Sequence, residues 1–178
     1  MKYSPIDRSL FVKNRAKFKN KMSSKSIACF NSNDLYPVSA DTTLPFEQHR
    51  DLFYLTGINQ EESLLVLCPS CKNTDHKEIL FLTKPNKTLT HWEGEKLSKE
   101  NAFMISGIKT VYWIEDSEKI INNLMSECDT FYINTNEHYR AKVETETRED
   151  RFIKWVQKKY PTKNIERSNP LLQNLRSI

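Results

Sequence analysis

The side chains in this chain best suited to chemistry are four cysteines, four histidines, a scatter of acids and one tryptophan set in a polar loop. Cys68-Pro-Ser-Cys71 has the C-x-x-C spacing of a redox or zinc motif. A redox site of that kind opens a helix, where the dipole lowers a thiol pKa. Here the pair lies between two strand-like runs, which predicts a hairpin cap instead. A zinc ribbon needs a second pair, and Cys29 and Cys128 stand apart in sequence. His49, His76, His91 and His138 fall in separate loops, without the i, i+4 spacing that sets two ligands on one helical face. Three glycines, Gly57, Gly94 and Gly107, cannot spell a P-loop or a dinucleotide fingerprint. No serine sits in G-x-S-x-G. The chain alone therefore supplies no complete active site. Two polar positions remain of interest: Asp41, in a proline-flanked loop, and Trp92, beside Glu93 and Gly94. An aromatic in such a loop serves either as a ligand-facing wall or as a core plug.

The elements that must position these residues follow from the hydrophobic pattern. The chain is 178 residues long, 38% hydrophobic and 28% charged, which fits one domain with a sizeable core. No run approaches the length of a membrane span, and the N-terminus lacks the apolar stretch of a secretory signal, so a cytoplasmic location is expected. The net charge of +4 is concentrated in residues 2–25. It permits an RNA-binding α/β domain but does not ask for one, and neither a nucleic-acid nor a membrane partner is expected.

Leu44 to Leu67 organises the rest. Asp51-Leu52-Phe53-Tyr54-Leu55 reads as a short apolar helix stopped at Gly57, and Leu64–Leu67 reads as a buried strand. Leu52, Phe53 and Leu55 are expected in the core. Upstream, Asp7 caps an amphipathic helix with Leu10, Phe11, Phe18 and Met22 inward, followed by a strand at 26–30 and an extended loop over 35–46. Downstream, strands at 63–67 and 78–83 form a hairpin. A helix capped by Ser98 ends at Gly107, and a strand follows at 110–114. Then come a helix carrying Ile120, Ile121, Leu124, Met125 and Cys128, a strand at 130–134, and a helix over roughly 143–159. Pro170 starts a last segment. Strands alternating with helices, plus one hairpin, predict an α/β domain with a mixed β-sheet and helices on both faces.

Taken together, Ser39-Ala40-Asp41, Pro45-Phe46, Gln48, Asp51-Leu52-Phe53-Tyr54-Leu55-Thr56-Gly57, Leu64–Leu67 and His91-Trp92-Glu93-Gly94 resemble the N-terminal domain of aminopeptidase P, of the creatinase/prolidase family. The run from Asn169 to Ile178 is similar to the junction at which that family's catalytic domain begins. The resemblance implies a ribonuclease H-like fold for residues 1–168, with 169–178 as the linker into a C-terminal "pita-bread" domain that this chain does not contain. It implies that the whole enzyme is a metal-dependent Xaa-Pro aminopeptidase acting on peptides with proline second. Two divalent metals, usually manganese, would be held there by two Asp, two Glu and one His. No cofactor is then expected in this chain, which would be inactive alone. It would contribute homo-oligomer contacts (dimer or tetramer) and a wall of the substrate cleft, with Asp41 and Trp92 as the wall residues. Glu47 departs from the family, whose members often carry Arg there. The other reading is a stand-alone peptide- or protein-binding module with a peptidase-like N-domain fold.

Overall fold

The computed structural model describes residues 5–40, 42–85, 94–135 and 145–177. Its centre is a six-stranded mixed sheet, built from β1 (Ser26–Asn31), β4 (Leu64–Leu67), β5 (Glu78–Leu82), β6 (Thr110–Trp113), β7 (Thr130–Ile133) and β8 (Asn164–Arg167) in the order β6-β5-β4-β1-β7-β8. β1, β7 and β8 run parallel, as do β5 and β6, while β4 is antiparallel to both its neighbours. A small separate hairpin joins β2 (Pro37–Ser39) to β3 (Thr42–Thr43).

Six helices are described: α1 (Arg8–Lys19), α2 (Arg50–Thr56), α3 (Lys99–Ser106), α4 (Ser117–Met125), α5 (Arg148–Lys159) and α6 (Asn169–Arg176). Side chains alternate across a strand, so a sheet covered on both faces must be apolar at every position. The run Leu64-Leu65-Val66-Leu67 shows this. Leu65 and Leu67 enter one core with Phe18 of α1, Leu52 and Leu55 of α2, Ala102 of α3 and Leu172 of α6. Leu64 and Val66 enter the other with Ile121, Leu124 and Met125 of α4 and Val156 of α5. The expected mixed sheet with helices on both faces is what the structure has, and the hairpin of β4 and β5 carries Cys68 and Cys71 at its turn.

Two helix stops depend on glycine. Gly57 and Gly107 sit at φ 72° and 73°, closing α2 and α3 in the left-handed region. A Cβ at Gly57 would lie 2.3 Å from Cε2 of Phe11, so the glycine also lets α1 pack against the end of α2.

Several expectations are corrected. Phe53 is 37% exposed, not core, because α2 turns it outward against the edge of the Phe11 ring. Leu10 is exposed, and α1 instead buries Asn14 and Arg15 beside Phe11 and Phe18. Arg15 reaches inward because Glu78 of β5 and the Leu55 carbonyl both accept from its guanidinium at 2.8 Å. The segment 35–46, expected to be extended loop, contains β2 and β3. β8 was not anticipated. The helix expected from about residue 143 begins at Arg148, where Thr147 and Asp150 form a reciprocal capping box. The last segment, which Pro170 was expected to start, forms α6 through Arg176 and packs Leu172 and Leu175 on the sheet.

Candidate functional site

The C-terminal ends of β1, β7 and β8 lie side by side, and the first turns of α2, α5 and α6 converge on them. Between them is a polar cleft of about 480 Å³, with Ser32, His49, Asp51, Arg148, Glu149 and Arg176 among its lining residues. Crevices at the carboxyl ends of parallel strands are where α/β sheets expose backbone and side-chain polar groups that no further strand residue covers.

The cleft floor is a continuous hydrogen-bonded network. Asn134, just past β7, donates its amide to Asp51 Oδ2 at 2.9 Å and accepts from the Ser168 hydroxyl at 2.9 Å. Arg176 pairs with Asp51 Oδ1 at 2.6 Å and lies over the Tyr54 ring, 4.5 Å from its centre. His49 caps α2, its Nδ1 accepting from the Asp51 backbone N–H at 3.3 Å. That bond places the proton of the neutral ring on Nε2. Burial lowers the His49 pKa below its ordinary value, Arg176 works in the same direction, and Asp51 opposes both. The balance favours the neutral ring.

Glu149 lies deeper. Its carboxylate accepts from the Asn31 backbone N–H and from the Asn31 amide, both at 3.1 Å. Burial pushes its pKa up to about 8, against the pull of those two bonds and of Arg148. Arg148 donates to the Ser32 hydroxyl at 3.0 Å. Beyond Arg148 a second cavity of about 370 Å³ is walled by Ile114, Phe152 and Trp155.

None of these groups forms a nucleophile and base pair. Ser168 spends its proton on an amide oxygen, His49 spends its free nitrogen on a helix cap, and Asp51 is neutralised by Arg176. Among the described residues no group of three or more His, Cys, Asp or Glu side chains could hold a metal ion.

Asp41 and Trp92, the two positions expected to face a cleft, lie outside the described residues, as do His91 and His138. Asp41 falls in sequence between β2 and β3. Of the other two histidines, His49 enters the cleft and His76 contacts the Tyr112 hydroxyl at 3.2 Å. Glu47 lines the cleft, and its carbonyl accepts from Asn33. Sequence reasoning missed Asn134, Glu149, Ser168 and Arg176. The capping pattern Thr147-x-x-Asp150 is the local signal that could have shown that residues near 149 open a helix.

A family model described as the aminopeptidase P N-terminal domain matches residues 11–133. This chain belongs to that family. It is 27% identical over 140 residues to the Xaa-Pro aminopeptidase of Escherichia coli K12, covering 79% of this chain and 32% of that protein. It is 25% identical over 150 residues to Xaa-Pro aminopeptidase 3 of Rattus norvegicus, covering 83% of this chain and 29% of that protein. The fold is similar to that of a Bacillus anthracis protein assigned to aminopeptidase P, with TM-score 0.85 and 27% identity over 96% of this chain and 40% of that one. The low-pH form of E. coli aminopeptidase P superposes with TM-score 0.77 over 97% of this chain and 39% of that one; at 22% identity this speaks to fold alone. This aminopeptidase P N-terminal domain thus spans between 14% and 32% of the length of the curated relatives it matches.

Proposed function

We propose that the chain acts as the non-catalytic N-terminal domain of a metal-dependent Xaa-Pro aminopeptidase, a hydrolase that removes the first residue from peptides with proline second. One observation carries this reading: the family match over residues 11–133 coincides with a shared fold over 96% of the chain.

In this reading the domain supplies shape and assembly. Two divalent ions, manganese by the resemblance, would be held by residues outside this domain. Asp41 and Trp92 would wall the substrate cleft, and homo-oligomer contacts would run through this domain. The polar cleft around Asp51 and Arg176 adds a prearranged surface for a peptide or a neighbouring domain, since its side chains are already fixed by one another. The enzyme would work in the cytoplasm. Among the described residues no helix is long and apolar enough to cross a membrane.

The test is a peptidase assay on the pure 178-residue chain with an Xaa-Pro peptide, with and without manganese. No turnover is expected under either condition; robust cleavage overturns the reading. Sequencing past codon 178 supplies an independent check, because a downstream segment bearing two Asp, two Glu and one His ligand is expected.

A further inference from the structure

All four cysteines of the chain enter one layer of the core. Cys29 lies on β1, Cys68 and Cys71 open the connection from β4 to β5, and Cys128 sits in the turn between α4 and β7. All are buried and none is in a disulfide. Spacing singles out Cys68 and Cys71, but the fold pairs Cys68 with Cys128. Their sulfur atoms are 3.6 Å apart in a thiol hydrogen bond, across 60 residues of chain. Cys71 instead donates to the Asn73 carbonyl at 3.1 Å. The four thiols are not a metal site, because no three ligating side chains converge suitably among the described residues.

The paired thiols differ in character. The Cys68 S–H bond and the nearby Lys163 charge lower the Cys128 pKa, while that same bond and burial raise that of Cys68. The Lys163 ammonium also donates to the Cys128 carbonyl. Cys29 is pushed well up by burial. Both paired cysteines stand where an element ends. Cys68 follows the last residue of β4, and Cys128 closes a turn flanked by exposed Asp129 and half-buried Glu127. A disulfide needs sulfurs about 2.05 Å apart, so closure asks the two turns to approach by about 1.5 Å.

We propose that Cys68 and Cys128 form a reversible intradomain disulfide when the protein meets a peroxide. The Cys128 thiolate attacks one peroxide oxygen: an S–O bond forms, the O–O bond breaks, and the departing oxygen takes a proton. The sulfur of Cys68 then attacks that of Cys128. The S–S bond forms, the S–O bond breaks, and hydroxide leaves as water with the Cys68 proton. In total two thiols give two electrons to one peroxide. A dithiol reductant returns both by exchange. The bond would tie the end of β4 to the turn that leads into β7.

The test treats the reduced 178-residue chain with hydrogen peroxide, blocks remaining thiols with N-ethylmaleimide and maps tryptic peptides. Cys68 and Cys71 leave on peptide 51–72, Cys128 on 120–140 and Cys29 on 26–50. The expected result links 51–72 to 120–140 and lowers the free thiols from four to two per chain, with Cys29 still labelled and dithiothreitol restoring all four. Cys71→Ser should keep the link and Cys128→Ser should remove it. Four untouched thiols, a bond confined to 51–72, a bond between chains, or a link that vanishes in Cys71→Ser would each overturn the pairing. The wild-type peptide map read together with that of Cys71→Ser decides the matter even where Cys128→Ser fails to fold.

Discussion

Leu52 and Phe53 are adjacent apolar residues of α2 with opposite fates. Leu52 is fully buried under the sheet, whereas Phe53 is 37% exposed. Leu52→Ala should therefore cost about 2–5 kcal/mol, and Phe53→Ala only about 1 kcal/mol, read from urea midpoints. Equal losses would contradict their placement. Gly57→Ala forces a side chain into the left-handed region, worth about 1–2 kcal/mol, and drives its methyl into Phe11. The total should shrink in a Phe11→Leu background, where the clash is relieved. Glu149 gives a pH signature. Its folded pKa of about 8 lies above the ordinary 4.5, so the folded state binds more protons than the unfolded chain between those values. Its contribution to stability falls as pH climbs through that window and levels off above it. Glu149→Gln removes this titration. The stability of the variant relative to wild type should rise between about pH 4.5 and about pH 8, by a few kcal/mol at most; a flat difference would mean that Glu149 titrates normally.

At the scale of elements, the sequence was most legible where both faces of a strand are covered. Leu64–Leu67 is apolar throughout because two helical layers demand it, and the pattern needs no partner to be recognised. Ser98, Gly57 and Gly107 were equally plain, since caps and stops are local chemistry. β8 was invisible for the opposite reason. Of Asn164-Ile165-Glu166-Arg167 only Ile165 packs, and its pairing with β7 supplies the order. The exposed hairpin of β2 and β3 likewise leaves no periodicity. Arg15 reads as a solvated charge until Glu78, 63 residues away, is seen beside it. The polar cleft was illegible on the same ground: Asn31 and Glu149, or Asp51 and Asn134, meet only after the sheet has formed. Asp41 and Trp92 were reached through family resemblance, not through any local rule. One element also carries a test. Thr147→Ala removes the capping box that starts α5 and should cost about 1 kcal/mol. It should also loosen Arg148 and Glu149 at the cleft, visible as faster amide exchange at Asn31. Unchanged exchange would show that the cap and the cleft are independent.

The whole molecule closes on itself through α6. Leu172 and Leu175 lie in the same core as Leu52, Leu65 and Leu80, and Lys21, just after α1, contacts Asn174. The two ends of the described chain thus share one layer, and Ser168, just before α6, and Arg176, at its end, both join the network at the cleft. This arrangement makes α6 part of one cooperative unit. Cutting the chain after Ser168 should remove two buried leucines and cost about 4 kcal/mol or more, lowering the urea midpoint while leaving a single transition. Arg176→Ala tests a different term. Its side chain is 38% exposed, so its pair with Asp51 should be worth less than about 1 kcal/mol despite the short contact. A truncation no more harmful than Arg176→Ala would mean that α6 touches the domain without stabilising it. A large loss on truncation beside a small one for Arg176→Ala would place the stability in the leucines. The arginine would then be left to hold Asp51 and His49 in the cleft.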